Sequence, residues 1–290
     1  MNAIAGGWAA LSNAWGTQAD DFVSPLEAVP PMRRAVERAL ALDPSSAEAH
    51  AQAGVQHMCY DWDPVSARRE LERALALDST NVTAATYYSL LLSAEFAGLG
   101  DSSAAVIERG VRSNPGSASM LGPAIDEETL RRLSPTQREQ RCLLLERLQA
   151  SPSISCTVRR LRLDGRADSA RRVRLAALRR MTTAEHEGLS GTNLIIRAEV
   201  FLGAADTASA RIELNAAIAR SAREYVREDV IAGVYFRLGD IEHSVQWWER
   251  AVDSNGGQVL FLLHARQFEP LRRDPRAQDV IRRARARQRS

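Results

Sequence analysis

No lysine occurs in the 290 residues: all 38 basic side chains are arginine, set against 36 acidic ones. The absence excludes chemistry that needs a side-chain amine, such as a Schiff base with pyridoxal phosphate or a P-loop lysine on nucleotide phosphates. The near balance of charge, a formal +2, excludes a global field that would mark the chain for nucleic acid or a membrane surface. Three cysteines, Cys59, Cys142 and Cys156, are odd in number, widely spaced and lack any C-x-x-C. Neither a disulfide framework nor a zinc knuckle is expected from them, and a reducing, cytoplasmic compartment fits best. No run approaches the roughly 18 apolar residues of a membrane span, and MNAIAGGWAALSNAW carries no basic segment ahead of its apolar residues. Glycine patterns that cradle phosphates and the G-x-S-x-G of a nucleophile elbow are also missing. No cofactor, no catalytic set and no membrane partner is expected.

What the chain does have is repetition, on a hydrophobic content of 45% that suffices for a core. The heptapeptide ERALALD at Glu37 to Asp43 returns unchanged at Glu72 to Asp78, and ERGVRSN at Glu108 and ERAVDSN at Glu249 are weaker echoes. Val36, Ala39, Leu40 and Leu42 share one helical side while Arg33, Arg34, Glu37 and Arg38 take the other, and Asp43-Pro44 stops the helix. A period of 20 to 50 residues is the mark of units that cannot bury their own apolar faces and therefore stack.

A second helical segment precedes each echo. Trp8-x2-Leu11-Ser12-x2-Trp15 leads to Met32-x3-Val36-x2-Ala39, and His50-x2-Ala53-Gly54-x2-His57 leads to Ala67-x3-Leu71-x2-Ala74. Ala85-x2-Tyr88-Ser89-x2-Leu92 leads to Ser103-x3-Ile107-x2-Gly110, and Glu228-x2-Ile231-Ala232-x2-Tyr235 leads to Ser244-x3-Trp248-x2-Ala251. Two helices cross closely only where small residues meet, the role open to Ser12, Gly54, Ser89 and Ala232 against Ala67, Ser103 or Ser244. Leu99-Gly100-Asp101 and Leu238-Gly239-Asp240 each offer a glycine for a left-handed C-cap followed by an N-cap aspartate. Worn hairpins are expected at Cys156 to Ala177, where Arg174 occupies the slot of a large apolar residue, and at Asn193 to Ala217.

These lines resemble the tetratricopeptide (TPR) repeats. Tyr60-Asp61-Trp62-Asp63-Pro64 and the ending Phe268 to Pro275 are similar to the C-terminal TPR regions of large bacterial signalling and transcriptional regulators. The resemblance implies an all-α, right-handed α-α solenoid of helical hairpins, divided as TPR-like repeats at 1–116, degenerate repeats at 117–224, and a last repeat plus capping helix at 225–290. It implies a non-catalytic scaffold that binds a protein or peptide in a concave groove, or else a regulatory arm of a transcription factor, cyclase or kinase system. The groove would be lined by the first helix of each pair, through Asn13, Ala51, Val55, Met58, Thr86, Leu90, Asp229 and Phe236. A terminal face could also serve self-association.

Three other groupings each have a structural role that competes with a functional one. Asp61, Asp63 and Glu70 could pair as carboxylates, but Asp63 ahead of Pro64 reads as a helix cap. His50 and His57 share a helical face near Cys59, yet occupy slots that the repeats give to packed aromatics, and no third ligand stands at metal spacing. The arginine-rich runs at 159–180 and 272–289 are diluted by aspartates and lack interleaved aromatics, so they read as solvated helix faces rather than a nucleic-acid interface.

Overall fold

A computed structural model describes residues 3–93, 99–117, 120, 127–149, 154–179 and 183–288, and every regular element among them is helical. Helix α1 (Ala3–Asp21) packs on α2 (Pro25–Leu42), α3 (Ala47–Cys59) on α4 (Pro64–Leu77), and α5 (Val82–Leu92) on α6 (Gly100–Ser113). After α7 (Glu127–Arg131) and α8 (Pro135–Gln149) come the pair α9 (Ile154–Leu163) and α10 (Ala167–Arg179), then α11 (Thr183–Glu187). The pairs α12 (Gly191–Leu202) with α13 (Thr207–Arg220) and α14 (Glu228–Arg237) with α15 (Ile241–Asp253) follow. First helices also touch first helices, α1 to α3, α3 to α5 and α12 to α14, so the chain forms the all-α solenoid of stacked hairpins that its repeats predict. No helix among the described residues is long and apolar enough to cross a membrane.

The duplicated heptapeptide makes the same corner twice. After α2 and α4 the backbone turns extended at Asp43 and Asp78, whose carboxylates accept from Ser45 and Thr80 N–H at 3.0 and 2.9 Å. Ser46 and Asn81 then cap α3 and α5 by accepting from Ala49 and Ala84 N–H. Each corner therefore satisfies the orphan groups of the outgoing and incoming helix together.

Inside the pairs the expected small-residue contacts are present. Ser103 Oγ donates to the Ser89 carbonyl at 2.7 Å, and Ser244 Oγ to the Ala232 carbonyl at 2.9 Å. A β-carbon on Gly54 would stand 2.6 Å from Leu71 Cγ and 3.3 Å from the Ala67 carbonyl oxygen. Gly54→Ala is accordingly expected to destabilise the protein by about 1–3 kcal/mol through overpacking, read as a lower denaturation midpoint at unchanged slope. At Gly239 the backbone is left-handed (φ 77°) and Asp240 caps α15, as the sequence predicts. At Gly100 it differs: α6 already starts there, with Leu99 at the N-cap.

The solenoid closes on itself. Beyond α15, α16 (Val259–His264), α17 (Glu269–Arg273) and α18 (Gln278–Arg287), joined by short 3₁₀ turns, cover the last hairpin, with Val280 buried as expected; Arg289, the last arginine of that run, lies outside the described residues. Helix α16 also reaches α3, and a single apolar core runs from Met58, Trp62 and Leu91 through Leu194 and Trp248 to Ala284. Trp62 is the hinge of this closure. Its indole N–H donates to the Gly256 carbonyl at 3.1 Å, and its own carbonyl accepts from the Gln288 side chain. Its backbone sits at φ 53°, a region costly for so bulky a residue.

One further expectation is corrected. Cys142 and Cys156 are joined as a disulfide between α8 and α9, their α-carbons 5.6 Å apart, while Cys59 is free. Residues 14 apart in sequence meet because consecutive helices bring them together, and the bridge removes the argument for a reducing compartment. Trp8 and Trp15 of the first repeat are half-buried, Trp8 against Ala39 and Ala49 and Trp15 against the cluster of Val29, Met32 and Val55.

Candidate functional site

Where the solenoid closes, an open cleft of about 1030 Å³ lies between α2, α3, the start of α4 and the C-terminal segment. It gathers most of the polar residues singled out in the sequence. His50 and His57, seven residues apart on α3, both face it, as do Asp61, Asp63 and Glu70. The other side supplies Asp253, Asn255, Arg287 and Gln288, and α2 adds Arg33 and Glu37.

Each member has a local reason for its position. Asp63 accepts from the Val65 and Ser66 N–H groups at 3.0 and 3.1 Å and caps α4, whose first residue is Pro64. His50 Nδ1 meets a Glu70 carboxylate oxygen at 2.7 Å and its Nε2 meets the Pro44 carbonyl at 3.0 Å, so neither ring nitrogen is left for a metal or a base. His57 Nδ1 lies 2.8 Å from Asp61 Oδ2, and Arg33 donates to Asp61 Oδ1 at 2.6 Å. Together with Asp63 N–H donating to the His57 carbonyl at 2.8 Å, these bonds hold the strained turn that delivers Trp62. Gln56 is 6% exposed at the cleft wall and its Oε1 has no partner among the described residues. Among the described residues no group of three His, Cys, Asp or Glu side chains is placed to hold a metal ion.

Burial alone would raise the Asp61 carboxyl, but the hydrogen bond from His57 and the Arg33 charge hold it below the ordinary carboxylate range; burial and His50 act likewise on Glu70. Because the folded value is the lower one, this stabilisation is complete above the unfolded pKa of about 4 and fades as pH falls through the folded value. Asp61→Asn is therefore expected to be less stable than the parent at neutral pH, with the difference shrinking below about pH 4. Urea titrations across pH 2–7 check it; a difference constant with pH would contradict the ion-pair account.

The residues expected to line an open groove are placed unevenly. Ala51, Val55 and Met58 are 0, 7 and 2% exposed. Ala51 is packed with Leu71 and Ala84, Val55 with Met32 and Tyr60, and Met58 belongs to the core shared with the C-terminal segment. Asp229 is buried, accepting from Gln258 N–H at 2.7 Å. Phe236 is half-buried against Phe268, ring centroids 5.3 Å apart, and Thr86 is half-buried. Asn13 and Leu90 keep exposed side chains. On α3 the neighbouring helices take up Ala51 and Val55, and the chain's own C-terminal segment takes up Met58. Arg33, Glu37, Asp253, Arg287 and Gln288 were not anticipated. The echo ERAVDSN carried a signal for Asp253 and Asn255, since it ends at the same corner as ERALALD, but nothing local marks Arg287 or Gln288.

No family model matches the chain, and no curated protein matches it. Among solved structures it is similar to a tetratricopeptide repeat protein from Parabacteroides merdae, at 10% identity over 96% of this chain and 98% of that one, with a TM-score of 0.47. It is also similar to a chain in the complex of Naa15/Naa10 bound to HypK-THB, at 13% identity and a TM-score of 0.41, over 86% of this chain but only 37% of that one. The architecture accordingly rests on the helix pairing described above rather than on these likenesses.

Proposed function

We propose that this chain is a non-catalytic interaction scaffold that receives a protein or peptide segment bearing basic side chains in the cleft beside Trp62. The observation that carries the reading is the charge of the lining: Glu37, Asp61, Asp63, Glu70 and Asp253 stand against Arg33 and Arg287, and Glu37 has no ion pair among the described residues. An open cleft with excess carboxylate favours arginine or lysine side chains of a partner, by charge complementarity that acts first on the rate of encounter. The lining includes no serine, threonine or cysteine, and the imidazole of His50 is held on both sides, which supports binding over nucleophilic catalysis.

Fluorescence anisotropy with labelled basic, neutral and acidic peptide pools tests the proposal. Basic pools are expected to bind, with affinity falling as salt rises, and Glu37→Arg is expected to weaken them about tenfold, the effect of reversing one charge at a charged interface. Equal binding of acidic pools, or no binding by any pool, would refute it. The regulatory-arm alternative makes a separate demand, that an effector protein co-purify with the tagged chain from its native host.

A further inference from the structure

The cleft beside Trp62 runs on along α2. A second concavity of about 400 Å³ adjoins it over the first half of that helix, and Leu26, Arg33, Glu37 and Asn255 line both. Pro25, Val29, Pro30 and Arg34 complete its lining. Leu26, Pro30, Arg33 and Glu37 follow one another at steps of four, three and four residues, so they form one stripe along a single face of α2. The stripe changes character along its length, from apolar at Leu26 and Pro30 to a carboxylate at Glu37. Leu26 is 61% exposed and Pro30 is exposed beside it, although α2 already buries its own apolar face through Ala28, Met32, Ala35 and Ala39. One exposed leucine is ordinary; a leucine and two prolines gathered in a concavity form a shelf.

The polar groups around the shelf say what it takes. Arg33 is tied to Asp61 at 2.6 Å, whereas Arg34 is exposed and makes no ion pair among the described residues. A cationic side chain laid on the shelf would meet the Arg34 guanidinium, and is turned instead toward Glu37, whose carboxylate also has no ion pair among the described residues. The same planar guanidinium is suited to stack on an aromatic ring. Across from α2, Asn255 borders shelf and cleft alike, on a left-handed backbone (φ 63°) that asparagine tolerates better than most residues. Its side-chain amide has no hydrogen bond among the described residues and can both donate to and accept from a passing peptide backbone.

We propose, resting on the reading of the cleft as a seat for basic side chains, that the shelf is the second half of the same site. The partner segment then carries an aromatic side chain for the shelf, a few positions from the arginine or lysine that enters the cleft. Pro30 and Glu37 lie seven residues apart on the helix, about 10 Å at the usual rise. An extended segment covers that distance in about three residues.

Anisotropy titrations of the full chain with three labelled peptides test this. The first is a plain basic peptide, the second the same peptide with tryptophan three positions to either side of an arginine, and the third the tryptophan peptide with its basic residues replaced by glutamine. The second is expected to bind about tenfold tighter than the first, the worth of partly burying an aromatic side chain on an open surface. Leu26→Ala, a change at an exposed side chain, is expected to shrink the ratio of those two affinities, both measured on the variant, to about twofold. If the basic peptides bind equally, or the ratio survives Leu26→Ala, the aromatic shelf is overturned while the cleft's preference for basic segments stands. If neither basic peptide binds, both readings fall together. Binding of the glutamine peptide as tight as the second would also overturn the proposal, since the shelf would then act without the cleft. So would a concentration-dependent dimer in sedimentation that Leu26→Ala abolishes, because a second copy of the chain would then be the occupant.

Discussion

Replacing Trp248 by alanine is expected to lower stability by about 3–5 kcal/mol, the range for truncating a fully buried aromatic. The side chain is wholly buried in the core that joins both ends of the chain, and it meets Phe268 edge-on at a centroid distance of 5.4 Å. Its indole N–H is also buried without a partner among the described residues. An orphaned donor costs about 1–3 kcal/mol, so Trp248→Phe, which deletes the donor and most of the cavity penalty with it, is expected to cost far less than alanine. Denaturant titrations of the two variants decide the matter. Equal losses would mean that the N–H has a partner in solution and that losing that bond, rather than packing, sets the cost.

The second large effect is expected at Trp62. Trp62→Ala removes a side chain 1% exposed, the donor to the Gly256 carbonyl, and the contact that ties the second hairpin to the last. A loss of about 3 kcal/mol or more is expected, without relief of the left-handed backbone at φ 53°, since alanine keeps the β-carbon that disfavours it. The location of the loss separates this variant from Trp248→Ala. Hydrogen exchange is expected to quicken over residues 256–264 and around α3, while α12 and α13 keep their protection. Uniform acceleration along the chain would show that Trp62 is an ordinary core residue and not the closing contact. Trp62→Phe keeps much of the packing but not the hydrogen bond, and a cost near 1 kcal/mol is expected for it.

What was legible in the sequence follows a physical divide. Contacts within a hairpin and between neighbouring hairpins leave periodic marks, because the same small residue or cap is needed in every copy. Gly54 opposite Leu71, Ser89 opposite Ser103, and the Asp43 and Asp78 corners are such marks. The closure leaves none: Trp62 and Gly256 are 194 residues apart, and each looks like an ordinary member of its own local unit. An open inner face is expected of α3, but Ala51 and Val55 are buried against neighbouring helices and Met58 against the C-terminal segment. The polar residues of the cleft were each visible, as a cap for Asp63 or a shared face for His50 and His57, but their convergence depends on the same closure. The cysteine bridge leaves no ligand or framework spacing in the sequence, because α8 and α9 bring the sulfurs together through helix order alone.

The 194-residue span between Trp62 and its acceptor also bears on how the chain is made. At roughly 5–20 residues per second, the ribosome finishes the second hairpin some 10–40 seconds before Gly256 exists. Through that interval the indole has no seat, and the newborn protein shows an aromatic surface that only its own late-made end can cover. A nascent-chain holdase is expected to dwell on the early hairpins and to depart once the C-terminal helices emerge.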